Sequence, residues 1–392
     1  MDSIDICIIS PWLLEAGTKR GGGIEEIDYQ VAAKLSRRFN VTILGPFHDR
    51  YMNICEINSK FRIEQVLFPA VSLYPPITRL DLFKTYFLMP DYLFLLLKKL
   101  YYLNDKKIKL VIVHNGLPGL FCTFLSKLLG LKILYSEGNT VPWMNPYLLK
   151  QEKKSLLRIF TSFCSLICGI IICELSNGIR VQSNSIKTGM VSYGIRSEKI
   201  TVIRGGVDTK TFRPIRKAFS DCNSIKIGFI GRLSEEKGVL LLTQIIKIAS
   251  IELPNAKFII LGNGSYKKDL LVYPNIEHIG YVPREELNEW LSKIDIVLFF
   301  QKDIGLAEIE ALASGKIIVA YNTNELSSVL QNNVHGLLVE SDARSYIYAM
   351  ISIIDNPALR ELISLNAREL AEREFDWDKI GNKWISMILS CI

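Results

Sequence analysis

The chain has 392 residues, which is too long for one ordinary hydrophobic core and predicts two domains. Hydrophobic residues make up 49% of the chain and charged residues 22%, so the composition is globular and excludes a disordered or fibrous protein. A mean hydropathy of +0.20 is high for a soluble protein and indicates either well-buried helices or a surface that faces a membrane.

The formal net charge is +7, and much of it lies in short clusters of lysine and arginine. Such clusters are either solvated surface or contacts to anionic lipid or to a phosphate-bearing acceptor. No aromatic and basic motif accompanies them, so nucleic acid is not expected as a partner. The first residues lack the basic region of a signal peptide, and we expect a cytoplasmic protein, at most peripheral on the inner face of the membrane.

The first half of the chain alternates apolar strands with helical stretches, among them a helix over about 24–39. The strands are predicted at residues 4–10, 41–44, 110–113, 131–135 and 179–182. Because strands that alternate with helices form a parallel sheet covered on both faces, this half predicts an α/β domain.

The second half repeats the same pattern after residues 208–223, a stretch with little periodicity that we interpret as the linker. Its strands are predicted at residues 225–230, 257–261, 276–278, 296–300 and 317–320. The fold class is therefore α/β, with two Rossmann-like domains whose parallel sheets face each other across a cleft.

Two apolar segments bear on membrane contact. Residues 80–103 are aromatic and aliphatic but carry several charges, whereas residues 159–173 are uncharged but shorter than the roughly 18–20 residues of a spanning helix. The second segment is either a buried helix or an interfacial one, since Lys153, Lys154 and Arg158 flank it as lipid-facing anchors would. A spanning helix is not expected.

A run of glycines that includes Gly22 and Gly23 precedes the first predicted helix. Backbone N–H groups there can approach an anion at the helix N-terminus, although a plain flexible turn is the alternative. The run is not G-x-G-x-x-G and does not follow the first strand directly. Both features argue against an oxidoreductase that uses a nicotinamide cofactor.

A basic pair, Arg232 and Lys237, follows the strand that ends at Gly231. The carboxyl edge of an open α/β sheet is where ligands bind. Arg232 can bind two phosphate oxygens through its planar guanidinium while Lys237 adds a point charge, which suits a diphosphate leaving group. A charged surface turn is the alternative.

A third segment begins at Gly305, which opens a helix. Glu310 lies about one turn into that helix, where its carboxylate can accept hydrogen bonds from two ribose hydroxyls. Glu308 points elsewhere on the helix, and we expect it to face solvent.

These segments together resemble glycosyltransferase family 4, the retaining enzymes of GT-B architecture. The resemblance spans nearly the whole chain, and its pieces occur in the family's order and spacing. They are VIRGGVD at 202–208, FIGRL at 229–233 with KG at 237–238, ILGNG at 260–264, IGYV at 279–282, EALASG at 310–315 and GLLV at 336–339.

The resemblance implies that residues 1–207, with a C-terminal helix within 376–392 packing back on them, form an acceptor-binding domain, and that residues 208–375 bind the donor. It implies a nucleotide-sugar donor, a glycan or polyprenyl- or lipid-linked acceptor, retention of configuration, and no cofactor or metal. The leaving phosphate would assist deprotonation of the acceptor. The implied donor-binding residues are Gly22, Gly23, Arg232, Lys237, Lys302, Gly305, Leu306 and Glu310.

Two positions depart from the family's pattern. Lys302 replaces the first acid of the family's E-x7-E pair, so either Asp303 substitutes for it or Lys302 pairs with a negatively charged sugar. Glu137 stands where many relatives have histidine, and it is either an acid or base, a ligand of sugar hydroxyls, or a structural carboxylate. His114 ends a strand at the same sheet edge and completes the catalytic candidates, with a structural histidine as its alternative.

Asp376 and Asp378 have the D-x-D spacing of metal-dependent glycosyltransferases, but they precede a predicted amphipathic helix and fit an N-cap instead, so no metal site is expected. Two alternatives to a working transferase remain. Lys302 and Glu137 suggest a catalytically silent sugar-nucleotide-binding subunit, and a nucleotide-sugar epimerase of the same two-lobed fold is the other.

Overall fold

A computed structural model describes residues 5–10, 23–47, 54–67, 89–104, 108–138, 143, 156–215 and 225–392. The chain separates into two compact units. Unit 1 comprises the described residues up to Arg204 together with Ile380–Ile392, and unit 2 is Gly205–Lys379. Gly22 lies outside the described residues.

Unit 1 is built on one sheet, which has eight strands within the described ranges and the order β3-β4-β2-β1-β5-β6-β7-β8. Neighbouring strands are parallel except for β3 and β4, which are antiparallel. The strands are β1 (Asp5–Ile9), β2 (Asn40–Phe47), β3 (Ile54–Asn58), β4 (Phe61–Leu67), β5 (Ile108–Val113), β6 (Lys132–Glu137), β7 (Gly178–Val181) and β8 (Ile200–Val202). Its first helices are α1 (Gly23–Leu35), α2 (Met89–Asn104), α3 (Leu117–Leu128), α4 (Leu156–Leu175) and α5 (Asn184–Ser192).

Three of these helices cover one face of the sheet. Leu100 of α2, Cys122 of α3 and Ile172 of α4 are fully buried in the same hydrophobic cluster as Val111 of β5. β5 reads as an apolar run in which only Lys109 is exposed, because parallel strands are covered on both faces. None of the described helices is long and apolar enough to cross a bilayer.

Unit 2 is built on a parallel sheet, six-stranded in the described part of the chain, with the order β11-β10-β9-β12-β13-β14. Its strands are β9 (Lys226–Ile230), β10 (Lys257–Leu261), β11 (Ile276–Gly280), β12 (Ile296–Phe299), β13 (Ile317–Tyr321) and β14 (Leu337–Val339). Its helices are α6 (Val239–Glu252), α7 (Lys267–Leu270), α8 (Arg284–Ser292), α9 (Leu306–Ala313), α10 (Asn324–Ser327), α11 (Ala343–Asp355) and α12 (Pro357–Leu370). The order makes β9 and β12 neighbours, so the loops that follow them meet at one sheet edge.

The last helix, α13 (Trp377–Cys391), packs on β7 of unit 1. A Cβ atom at Gly178 would lie 2.7 Å from the Cys391 sulfur, so a side chain at that position has no room. The guanidinium carbon of Arg180 lies 5.4 Å from the ring centroid of Trp384, a cation–π contact. At the start of the helix, the backbone N–H of Asp378 donates to Asp376 Oδ1 at 2.8 Å, as an N-cap does.

Candidate functional site

The loops after β9 and β10 are in direct backbone contact at the carboxyl edge of the unit 2 sheet. The Gly231 N–H donates to the Leu261 carbonyl at 2.9 Å. A Cβ at Gly262, whose φ is +140°, would lie 1.9 Å from the Gly231 carbonyl oxygen. Only glycine allows this approach, and it fixes the course of the turn that carries the predicted diphosphate residues.

Arg232 and Lys237 lie on that turn in different environments. Arg232 is exposed, and within the described residues its guanidinium makes no hydrogen bond or ion pair. Lys237 ends a single 3₁₀ turn, Glu235–Lys237, and its ammonium donates to Gln301 Oε1 at 3.3 Å. The next residue, Gly238, has φ +80°, and a Cβ there would lie 2.4 Å from Phe300 Cβ. The turn is therefore held against the end of β12.

Helix α9 begins beside this turn. Gly305 is its N-cap, and the Gly305 N–H donates to Glu308 Oε2 at 3.1 Å. Glu308 is 5% exposed, so the expectation that it faces solvent is wrong. It is the N3 residue of a capping box, whose side chain turns back to the helix start. Burial raises the pKa of Glu308, while the charge of Lys237 and the hydrogen bonds from the backbone oppose that shift.

Glu310, the predicted ribose ligand, is buried within an ion pair. Its carboxylate accepts from Arg284 Nη2 at 2.6 Å, and the two side chains are 6% and 27% exposed respectively. Arg284 comes from α8, and its guanidinium lies 5.8 Å from the Phe212 ring centroid. Sequence analysis did not single out Arg284, because its contact with Glu310 joins two different helices.

Four more of the predicted site residues lie within the described part of the chain. Leu306, the first residue of α9, is half-buried, and so is Asp303 in the loop before it. Lys302 is exposed, and its backbone carbonyl accepts from Thr323 Oγ1 at 2.7 Å. Gly23 is the exposed first residue of α1 in unit 1. The roles predicted for these residues stay predictions.

His114 lies at the end of β5 in unit 1, where it pairs with a residue that the sequence did not suggest. Its Nε2 is 2.9 Å from Asp28 Oδ1, and both side chains are buried. Burial lowers the pKa of His114, but the charge of Asp28 and its hydrogen bond raise it more, so the net shift is upward. The sequence does contain a signal for Asp28. It is an acidic residue on the apolar side of a predicted helix, together with Ile27, Val31 and Ala32, and all four are buried.

Glu137 lies at the end of β6 and is 1% exposed. One of its oxygens, Oε2, accepts from the Tyr135 hydroxyl at 2.6 Å, from Trp143 Nε1 at 3.1 Å and from Asn115 Nδ2 at 3.1 Å. Three donors of the protein therefore bind this one oxygen. A catalytic role for Glu137 stays a prediction, and the surroundings favour its structural alternative.

Arg180, on β7, is a buried arginine close enough to Asp28 and Glu137 for their charges to act on it. It is 2% exposed, and its Nε donates to the Ile203 carbonyl at 2.6 Å. Burial lowers the pKa of Arg180 to about 10, while the charges of Asp28 and Glu137 act in the opposite direction. The side chains of Arg180 and Glu137 leave adjacent strands, since Ser136 pairs with Arg180 and Glu137 with Val181.

Two family descriptions match consecutive parts of the chain. "Glycosyltransferase Family 4" matches residues 21–211, and "Glycosyl transferases group 1" matches residues 213–370. The first range covers most of the residues up to the start of the unit 2 sheet, and the second contains Arg232, Lys237 and Glu310.

Among curated proteins, an uncharacterized glycosyltransferase of Methanocaldococcus jannaschii is 26% identical over 265 residues, covering 65% of this chain and 64% of that protein. A UDP-Gal:alpha-D-GlcNAc-diphosphoundecaprenol alpha-1,3-galactosyltransferase of Escherichia coli is 25% identical over 217 residues, covering 49% of this chain and 55% of that protein. The matches thus span less than two thirds of the length of these relatives.

Among solved structures, sucrose-phosphate synthase from Thermosynechococcus elongatus superposes with a TM-score of 0.77 at 19% identity, covering 98% of each chain. At that identity the likeness establishes the fold, which is that of a GT-B glycosyltransferase.

Proposed function

The chain belongs to glycosyltransferase family 4, and we propose that it transfers a hexosyl group, with retention of configuration, from a nucleoside diphosphate sugar to a lipid-linked glycan. The observation that carries the donor half of this proposal is that one turn holds both the exposed Arg232 and Lys237, and that Lys237 lies close enough to the first turn of α9 for its charge to act on Glu308. Two cations and a helix N-terminus together suit the two phosphates of a nucleoside diphosphate.

UDP is the nucleotide that we propose, because the relative from Escherichia coli takes its sugar from UDP-galactose. That relative also acts on a sugar linked to diphosphoundecaprenol, which supports a lipid-linked acceptor here. Glu310 would hold the ribose hydroxyls, with Arg284 holding the carboxylate in place through the 2.6 Å contact.

Catalysis would rest mainly on the departing diphosphate. Arg232 and Lys237 would stabilise the negative charge that develops on it, and removal of one such group typically costs about 2.7–4 kcal/mol of transition-state stabilisation. The leaving phosphate would take the acceptor proton, so a separate protein base is not required. The three hydrogen bonds that Glu137 Oε2 accepts within unit 1 support a mechanism without a separate base at this carboxylate.

Lys302 bears on the choice of sugar. It stands where the family has an acid, and its side chain is exposed on the loop before α9. A cation at that position would favour a negatively charged sugar, whereas the nearby Asp303 would serve a neutral one. A panel of UDP-glucose and UDP-glucuronate separates the two hypotheses, and turnover of the neutral sugar alone removes the first.

Isothermal titration with UDP, GDP and ADP tests the donor site, and hydrolysis of the matching sugar nucleotides tests turnover. We expect one nucleotide to bind, and Arg232→Ala to weaken that binding at least tenfold, or ~1.4 kcal/mol. Arg344→Ala is the matched control, because Arg344 is also an exposed arginine of unit 2 but pairs with Glu252 on another helix.

Three other outcomes would contradict this proposed function. Binding without turnover in the presence of lipid-linked acceptors identifies a silent subunit. Release of an altered sugar nucleotide without any acceptor identifies an epimerase. If no nucleotide binds, or if Arg344→Ala weakens binding as much as Arg232→Ala does, the proposed donor site is wrong.

A further inference from the structure

Helix α3 carries an apolar stripe on its outward side. Leu117, Phe121, Phe124 and Leu128 are 42%, 43%, 46% and 84% exposed. Their spacing of four, three and four residues places them on one side of the helix. The opposite side of α3 is buried against the sheet through Cys122 and its neighbours. α3 is therefore buried on its inner side and carries an exposed apolar stripe on its outer side.

The helices on either side of α3 extend this surface. α2 and α4 both pack against α3, and all three helices share one hydrophobic cluster on the same face of the sheet. Phe94 and Tyr101 of α2 are 68% and 60% exposed, and Phe163 and Ile167 of α4 are 58% and 43% exposed. Since the three helices lie in one layer, their outward sides form one continuous surface, which we name the outer helix face.

The charges on the outer helix face have one predominant sign. Lys98 of α2 and Lys127 of α3 are both exposed, and each lies one residue or one turn from an exposed apolar side chain. Among the side chains described on these three helices, the only acidic one is Glu174, near the end of α4. The whole chain carries a formal charge of +7, so the field around this face favours anionic partners.

We propose that the outer helix face docks on the surface of a bilayer that contains anionic lipid. Aromatic side chains between lysines suit the boundary between headgroups and acyl chains, where apolar groups insert and ammonium groups remain at the phosphates. A second copy of the chain fits less well, because a symmetric contact would bring the lysines of one face against those of the other.

This proposal depends on the proposed function in one respect: membrane docking would bring the enzyme to a lipid-linked acceptor. The test needs neither nucleotide nor acceptor, so its failure is distinguishable from failure of the donor site. The full chain is sedimented with vesicles of phosphatidylcholine alone and of phosphatidylcholine mixed with phosphatidylglycerol. We expect binding to the mixed vesicles and little to phosphatidylcholine alone.

Variants then separate the apolar and charged contributions. The double variant Phe121→Ser/Phe124→Ser should weaken partitioning by about tenfold or more, because its aromatic area can no longer insert. Lys127→Gln should weaken it about fivefold, the effect of one basic group near an anionic surface. Ile251→Ser/Val272→Ser is the matched control, since these residues of unit 2 are 79% and 72% exposed and lie outside the face.

The thiol of Cys164 offers a second measurement, because it is exposed on α4 beside Phe163. A polarity-sensitive label on Cys164 should brighten when mixed vesicles are added, and Cys164→Ser should lose that signal. The proposal is overturned if the control pair weakens vesicle binding as much as the phenylalanine pair. It is equally overturned if the chain is a dimer in solution that Phe121→Ser/Phe124→Ser dissociates, since a second copy then covers the face.

Discussion

Replacing Arg284 with methionine should reduce both the stability of unit 2 and its affinity for nucleotide. Arg284→Met leaves the buried Glu310 without the guanidinium that lies 2.6 Å away. Breaking a buried ion pair costs ~3–5 kcal/mol, and one hydrogen bond to a charged group contributes about 1.5–3 kcal/mol. Because Arg284 is 27% exposed, the lower range applies, and we expect a loss of about 2 kcal/mol.

In a domain of this size, that loss lowers Tm by roughly 4–8 °C. The affinity for UDP should fall about tenfold or more, because the carboxylate is no longer held where ribose hydroxyls reach it. The affinity for 2′,3′-dideoxy-UDP should change little, since that nucleotide makes no such contact. Calorimetric melting and titration of both nucleotides measure the three quantities.

A double-mutant cycle with Glu310→Gln isolates the pair itself. If the ion pair dominates, Arg284→Met should cost far less in the Glu310→Gln background than alone. Simply additive effects would contradict a direct interaction between Arg284 and Glu310. Equal losses of affinity for UDP and its dideoxy analogue would contradict the ribose contact, because Arg284 would then act on another part of the nucleotide.

Three further predictions concern single residues. The pKa of His114 in the folded protein lies above the ordinary histidine value of 6.5. Its pair with Asp28 therefore contributes stability below pH 6.5, and this contribution is lost as the pH rises through the folded pKa. Asp28→Asn should abolish this dependence of the unfolding free energy on pH, measured by urea unfolding. Glu308→Gln keeps an acceptor for the helix cap but removes the negative charge that attracts Lys237. The variant should therefore bind UDP more tightly than the wild type at pH values above the folded pKa of Glu308. Calorimetric titration at several pH values should show that its affinity for UDP depends less on pH. Gly119→Ala places a Cβ 1.8 Å from the His114 carbonyl oxygen, and thermal melting should show a loss of more than about 3 kcal/mol.

Each of the three has its own control. A slope that survives in Asp28→Asn would place the titration elsewhere in the chain. Glu308→Gln is compared with wild type below the pKa of the carboxylate, where both side chains are neutral and the affinities should agree; a difference there would contradict the electrostatic explanation. Gly130→Ala is the counterpart of Gly119→Ala, because Gly130 has φ +71° but no atom within 4 Å of a Cβ, and it should cost only about 1 kcal/mol.

The strands that sequence analysis placed well are those that are buried on both faces. The prediction of 257–261 coincides with β10, because an uninterrupted apolar run bounded by polar residues is the signature of a central parallel strand. β8 and β14 have three residues each, too few for periodicity to be visible. β3 and β4 were not predicted, because charged and polar residues interrupt their apolar positions; Glu64 of β4 is buried and lies 3.2 Å from Arg62 Nε, a contact that the sequence does not reveal.

The candidate site was predictable only where it depends on local sequence. The turn with Arg232 and Lys237 follows directly from the end of a strand. Glu308 was misjudged, although its spacing of three residues from Gly305 is that of a capping box. Arg284 was out of reach, because nothing in its own segment indicates which carboxylate it meets.

The return of the chain to unit 1 has a consequence for synthesis on the ribosome. Residues 380–392 belong to unit 1, so its sheet lacks the helix that covers Gly178 and Arg180 until these residues have been translated. Unit 2 is continuous in sequence and has all of its residues earlier. Unit 2 can therefore finish folding first, although it is translated second. Unit 1 can complete its packing only after α13 has left the ribosome.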